Sequence, residues 1–405
     1  MNVYFVVPFF MEATLRFVEG TARLPGVRLA IISQDPLERL PQSLRAGLAG
    51  HWRVDNCLDP AKIADAVREL THRVGAPDRI IGSLEQLQVP LAEVRGYFGV
   101  PGLGVEAARN FRDKATMKTV LERNNLPCAR HCLAATAAQA RAFVAHVGLP
   151  VVVKPPAGAG AINTFRLDQP TELERYLEMH PPTPERPVLI EEFLRGEEFS
   201  FDAVLIAGRM VWHSISCYRP APLTVLANPW IQWCVLLPRE IDTPEFEGIR
   251  RTGYEALRAL GLETGMSHME WFRRANGGIA ISEAGARPPG AQFTTLISYA
   301  HDCDFYSAWP RLMVFDAFDV PERRYATGAA YLRGPGAGRV KAIHGLDAAQ
   351  REVGPLVVAS QLPKPGQMQP SGYEGAGYVI LRHTDTAVVE QGLRRIVEIL
   401  RVELG

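Results

Sequence analysis

The sequence predicts an α/β protein: a doubly wound N-terminal domain, a larger mixed domain and a small C-terminal α+β unit. Three observations carry this. The first hundred residues alternate apolar runs with amphipathic helical stretches. A strand ending in Lys154 runs straight into a Pro/Gly-rich turn. Late in the chain, an Asn-Gly pair separates two strand-like runs that each carry a glutamate.

In chain order, "MNVYFVVPFFMEATLRF" is apolar but short, lacks a basic n-region and meets Glu12 early. It is expected to be a first buried strand and not a signal peptide. "VYFVVPF", "VRLAIIS" and "RIIGS" read as buried parallel strands. In "DPAKIADAVRELTHRVG", Asp59 can cap a helix, Pro60 suits its first position and Gly75 its end. Ile63, Val67, Leu70 and Val74 share one face of that helix. No GxGxxG follows the first strand, so a dinucleotide fold of the usual kind is not supported.

One helix is expected through "FRDKATMKTVLERNN", closed by Pro127, and another over "TAAQARAFVAHVG", from Thr136 to Gly148. "LPVVVK" is a strand, and "HPPTPERP" is a surface connection. "VLIEEFL" and "EFSFDAVLIAGRMVWHSISC" give further strands, the last two joined through Ala207-Gly208. "TPEFEGIRRTGYEALRALG" is a helix with Thr243 as cap, Pro244 in its first turn and Gly261 at its end. Residues 326–405 read as a separate small unit. It holds strands at "GAAYLRG", "GRVKAIHG" and "GYVILRH" and an amphipathic helix "DTAVVEQGLRRIVEILRVEL".

Composition sets limits on function. The 405 residues suit two or three domains, and 47% hydrophobic residues can fill their cores. Lys plus Arg equals Asp plus Glu, 44 each, so nothing draws the whole chain to nucleic acid or an anionic membrane. An anionic ligand must be held by a local site. No run approaches the roughly 20 apolar residues of a membrane span. The six cysteines are scattered without a CxxC pair, which suits reduced thiols in a cytoplasmic protein.

The stretch "HMEWFRRANGGIAISEAGARPPG" carries the most chemistry. A two-residue Asn276-Gly277 turn sets Glu270 opposite Glu283. Side chains so paired lie roughly 5 Å apart, where like charges are destabilising. Phe272, Ile279 and Ile281 are expected on the same face, and burial worsens the repulsion. A shared proton, a nearby arginine or a divalent cation would relieve it. Arg287 lies four residues on, and carboxylate oxygens suit Mg²⁺. The alternatives are a solvated hairpin edge, or a turn at Gly277-Gly278, which slips the register.

Two lysines are candidates for phosphate. "PVVVKPPAGAGA" follows Lys154 with Gly158 and Gly160, whose backbone N–H groups can approach a phosphate. This is not a Walker A loop, whose lysine follows its glycines. Lys114 lies in the helical "FRDKATMK". "VLIEEFLRGEEFSFD" adds acids that can accept from a ribose or an exocyclic amine. Taken singly, each also reads as an ordinary turn or a solvated helix face.

Their order resembles the ATP-grasp superfamily, over nearly the whole chain. The nearest type is the carboxylate–amine ligases that include L-amino-acid (dipeptide) ligases. Biotin carboxylase-like and purine-biosynthetic members share the plan. The resemblance implies an N-terminal pre-ATP-grasp domain (1–112), an ATP-grasp domain (113–325) with a lid near 126–195, and a small C-terminal domain (326–405). It implies ATP with Mg²⁺, or Mn²⁺ in its stead. Lys114 and Lys154 would meet the phosphates. Glu191 would accept from the adenine amine, the Glu192 and Leu194 backbones would meet the adenine edge, and Glu198 would hold the ribose. Glu270 and Glu283 would bind metal, and Arg287 would steady an acyl-phosphate. One departure stands out: many relatives carry asparagine where this chain has Gly285.

The expected reaction joins a small carboxylate to an amine through an acyl-phosphate, in a cytoplasmic enzyme that is a candidate homodimer. Glu12 and Glu85, beyond strand ends, and His268 are further substrate candidates. Trp230 and Trp233 are candidates for an acceptor wall. Two alternatives stand beside this reading: an enzyme activating bicarbonate or formate, and a non-catalytic ATP-binding regulator.

Overall fold

The three apolar runs at the N-terminal end and the short, more polar stretch Gly50–Arg53 form one parallel sheet. They are β1 (Asn2–Val6), β2 (Arg28–Ser33), β3 (Gly50–Arg53) and β4 (Arg79–Ile81), ordered β3-β2-β1-β4. The computed structural model describes residues 1–158, 163–228 and 231–405. Chain order reverses between β1 and β4, and open α/β sheets bind ligands beyond the strand ends at such a point. Asp59 caps the helix Pro60–Val74 by accepting from the Ala61 N–H, as expected, and Gly75 ends it at φ 100°. Its Ile63, Val67 and Leu70 are fully buried against the sheet.

The next strands are β5 (His131–Ala134), β6 (Val151–Lys154), β7 (Phe165–Leu167) and β8 (Val188–Glu192). They make an antiparallel sheet ordered β5-β8-β6-β7, within the span expected for a lid. Helices Ala137–Val147 and Pro170–Met179 give it a core of its own, through residues such as Val144, Val153, Leu173 and Ile190. Thr136 and Gln139 close a full capping box at the first helix.

The remaining strands are β9 (Gly196–Ile206), β10 (Arg209–Arg219), β11 (Cys234–Leu237), β12 (Gly265–Arg274), β13 (Ile279–Gly285), β14 (Ala326–Leu332), β15 (Val340–His344), β16 (Val357–Gln361), β17 (Gly377–His383) and β18 (Arg401–Leu404). Eight of them build one antiparallel sheet, ordered β13-β12-β9-β10-β11-β14-β17-β16. Ala207 and Gly208, both at positive φ, turn β9 into β10. No helix among the described residues is long and apolar enough to cross a membrane.

Several expectations need correction. Residues 326–405 are not a separate unit: β14 pairs with β11, so the expected boundary falls inside one continuous sheet. The helix expected over 111–125 breaks at Asp113, whose extended backbone ends Val105–Arg112. The Asp113 carboxylate then caps Lys114–Arg123 by accepting from the Thr116 N–H at 2.7 Å. Thr243 does not cap with its side chain, and a 3₁₀ turn, Pro244–Phe246, precedes the helix Glu247–Ala259. The last helix, Thr386–Ile399, stops early, and its expected end becomes β18, paired with β15.

The glutamate hairpin differs most instructively. The turn is Ala275-Asn276-Gly277, with the Gly277 N–H donating to Arg274 O at 2.9 Å and only Gly277 at positive φ. That longer loop shifts the pairing by one: Phe272 faces Ala280, and Trp271 faces Ile281. A bulge at Ser282 then absorbs the shift, and Glu270 faces Glu283 after all. In consequence Ile281 and Ile279 lie on the far face with Trp271. Phe272 packs with Ala280, Leu194 and Ala129 beside the acids.

Candidate active site

A cavity of about 460 Å³ lies where the three sheets meet, and it collects nearly every predicted site residue. Lys114, Lys154, Glu191, Glu192, Leu194, Glu198, Glu270, Glu283, Arg287, His268 and Glu85 all line it. Glu12 does not: it is exposed, and its neighbours Ala13 and Thr14 line the wall instead. Gly158 lines the cavity, while Gly160 and Trp230 lie outside the described residues. Trp233 is fully buried and also lines the cavity.

The break at Asp113 explains Lys114. As the first residue of its helix, it turns toward the cavity. Its Nζ sits 3.0 Å from Glu283 Oε2 and donates to Gly158 O at 3.0 Å. Lys154 ends β6, and its Nζ lies 3.0 Å from Glu191 Oε2. Burial pushes the Lys154 pKa down, but Glu191 and Glu283 outweigh it, so the amine stays charged.

The carboxylates separate by environment. Burial and then repulsion from Glu283 push Glu270 upward. Burial, then Glu270 and Glu283, push Glu198 well above the usual range. Glu283 goes the other way. Burial again raises it, but Lys114, Lys154 and Arg287 together hold it down to about 2. Of the opposed pair, Glu283 is the fixed anion, and Glu270 is the acid whose ionised form is disfavoured. The Tyr218 hydroxyl donates to Glu270 Oε1 at 3.3 Å.

Three residues escaped the sequence reading. Lys118, fully buried, lies one turn beyond Lys114 on the same face. Its Nζ donates to the bulged Ser282 O at 2.8 Å and lies 3.5 Å from Glu191 Oε1. Burial drives the Lys118 pKa down. Glu191 is therefore clasped by two lysines, which outweigh burial and keep it ionised. Asp202 is the second, buried on β9 opposite His268, whose Nδ1 it meets at 2.7 Å. Burial lowers the His268 pKa, yet Asp202 outweighs it and raises it. An acid inside the apolar "FSFDAVLIA" was the available signal. Tyr218 is the third, and nothing in its sequence context marks it.

Glu192 turns its carboxylate to Arg130 and Arg274, at 2.8 and 2.9 Å. Its N–H donates to Arg130 O, which leaves its carbonyl for the expected adenine contact. Leu194 is buried with Phe272 on the apolar side of the cavity.

Glu85, just past β4, reaches across from the N-terminal sheet. Its Oε2 accepts from Arg287 Nε at 2.6 Å. A Cβ at Gly285 would stand 2.7 Å from that same oxygen. The φ of Gly285 is not of the left-handed kind, so its backbone does not require glycine. The missing side chain is what gives Glu85 room.

Residues 119–301 match the family model of the ATP-grasp domain. The chain carries an ATP-grasp domain. It is similar to an L-arginine-specific L-amino acid ligase of Bacillus subtilis, 25% identical over 289 residues, 68% of each chain. Its fold is that of an L-amino acid ligase from Bacillus licheniformis, with a TM-score of 0.78 at 19% identity, over 100% of this chain and 98% of that one. A carboxyaminoimidazole ribonucleotide synthase of Aspergillus clavatus, complexed with ATP, gives a TM-score of 0.72 at 16% identity, over 98% and 97%. The ATP-grasp match begins inside the helix Lys114–Arg123 and ends with the helix Phe293–His301. It thus takes in both the β5–β8 sheet and the glutamate hairpin, but not Lys114 or Glu85.

Proposed function

We propose that this chain is an ATP-dependent carboxylate–amine ligase acting on amino acids or related small metabolites. The observation that carries the reading is the opposed Glu270–Glu283 pair, flanked by Lys114, Lys154 and Arg287 in one cavity. Such a set suits a triphosphate and a second anion held together. Glu270 and Glu283 offer only oxygen donors, and burial with their mutual repulsion disfavours ionising both. That fits Mg²⁺, with Mn²⁺ as a substitute. When bound, the cation would supply charge neutralisation at the phosphates.

In this reading Lys114 and Lys154 neutralise phosphate oxygens. A substrate carboxylate oxygen attacks the γ-phosphorus, and the bond to the ADP oxygen breaks. The amine then attacks the acyl carbon, phosphate leaves, and the amine loses a proton. Arg287, steadied by Glu85, stabilises charge on the acyl oxygens. The sheet over 131–192 acts as the lid that excludes water from the acyl-phosphate. Tyr218, Trp233, Phe293 and Tyr373 form an aromatic wall at the substrate end, which favours an amino-acid side chain over bicarbonate or formate.

Phosphate release should therefore depend on ATP and on a pair of amino acids. Release with bicarbonate or formate alone would overturn the substrate class. Tight Mg-ATP binding with no turnover on any substrate would favour a regulator.

Two variants probe the substrate end. His268→Ala removes an imidazole whose pKa Asp202 raises against burial. It is expected to raise KM for the carboxylate roughly tenfold while KM for ATP stays fixed. Unchanged kinetics would remove His268 from the site. Gly285→Asn drives a side chain into the Glu85 carboxylate and parts it from Arg287. Because Glu85 is the flexible partner, stability should move by less than about 1 kcal/mol, while kcat falls roughly tenfold or more. Wild-type kcat in that variant would show that Glu85 does not position Arg287.

A further inference from the structure

We propose that Glu122, Cys128 and His131 form a zinc site that fastens the core helix Lys114–Arg123 to the first strand of the β5–β8 sheet. The proposal does not depend on the ligase reading. One ligand atom from each of the three residues lies within 4.8 Å of the others. Oxygen, sulfur and nitrogen together suit borderline Zn²⁺, whereas Mg²⁺ and Ca²⁺ prefer oxygen alone. Three protein ligands would leave the fourth position to water.

A second observation points the same way. The His131 side chain is 8% exposed, yet its Nδ1 makes no hydrogen bond among the described residues. Glu122 Oε1 stands 3.2 Å from that nitrogen, close but misaligned for a hydrogen bond. A buried ring nitrogen without a donor or acceptor is costly unless something occupies its lone pair. Cys128 Sγ has only a weak contact, 3.9 Å from Lys118 O, so it is available. Glu122 is exposed, which gives an ion a way in.

The position makes the site more than decorative. Lys114, Lys118 and Glu122 are spaced by four along one helix and share a face. His131 is the direct partner of Glu191 across the β5–β8 ladder. The same helix and the same strand pair thus carry the Lys118–Glu191 contact at the cavity and, one step away, the three zinc ligands. An ion bound there would join the helix Lys114–Arg123 to the β5–β8 sheet at its first strand.

Cobalt makes the test optical. The full-length wild type should bind Zn²⁺, and should bind Co²⁺ with a sulfur-to-cobalt charge-transfer band that marks this site apart from the all-oxygen Glu270–Glu283 pair. Cys128→Ser should abolish that band and weaken zinc binding roughly 10- to 100-fold, and His131→Asn should weaken it comparably. Cys132→Ser, one residue from His131 with its partner Ile190 on the alternate face, should change neither. Glu122→Gln, at an exposed position, provides a variant that will fold even if the others do not, and should also weaken binding. Zinc affinity unchanged in Cys128→Ser, or in Glu122→Gln where the others fail to fold, would overturn the proposal. So would a band that survives Cys128→Ser and is lost in Cys132→Ser.

Discussion

Replacing Glu283 with alanine is expected to abolish ADP formation while leaving the fold intact. The side chain serves two groups at once: it is the partner of Lys114 Nζ at 3.0 Å and stands across the ladder from Glu270. With its pKa near 2 it is charged at every pH where the enzyme would work. Glu270 pairs with Tyr218 and His268, not with Lys114 Nζ, so it does not replace that ion pair. Losing a preorganised charge at a phosphoryl-transfer site costs about a thousandfold in kcat. Stability should move little. Lys114 keeps its bond to Gly158 O, and removing one of two opposed carboxylates relieves repulsion. A coupled ADP assay and a thermal melt on the same preparation decide the matter. ATP turnover within tenfold of wild type, with the melt preserved, would show that this hairpin is not the cation site.

How far the sequence revealed that hairpin is itself informative. Its Asn-Gly signal pointed to a turn of two residues, and the turn has three. The pairing of Glu270 with Glu283 came out right only because the Ser282 bulge cancels the longer turn. Turn chemistry is local and readable; a bulge answers to what packs against the strand. Here the Ile281 N–H is taken by Pro127 O and the Ser282 carbonyl by Lys118, both far away in sequence. The same division holds elsewhere. The caps of Asp59 and Thr136 depend on neighbours within four residues, and they were legible. Continuity of β14 with β11 depends on edges left open by other strands, and it was not. At the site, residues with charge in a turn or strand end were visible as candidates. Lys118 was not, because a lysine inside an amphipathic helix is usually solvated, and only the third dimension brings Glu191 and Ser282 to it.

Lys118 supports the second large prediction. Lys118→Met keeps the length and apolar stem of the side chain but removes a charge that is completely buried. Two losses follow. Ser282 O, freed from the ladder by the bulge, loses its donor, and Glu191 loses one of its two cations. Removing one member of a buried ionic cluster costs about 3 kcal/mol, the low end of the usual range because Lys154 remains on Glu191. The denaturation midpoint should fall accordingly. The double variant Lys118→Met/Glu191→Gln should lose less than the sum of the two single variants, since each removes the other's reason for being charged. A further consequence is specific to this site. The bulge is what sets Glu283 against Glu270, and Lys118 holds the bulged carbonyl. Loosening it should therefore reduce ATP turnover in molecules that are still folded, measured well below the midpoint. A midpoint equal to wild type, or additive losses in the double variant, would mean that Lys118 and Glu191 are independent and that the bulge is held by the strand alone.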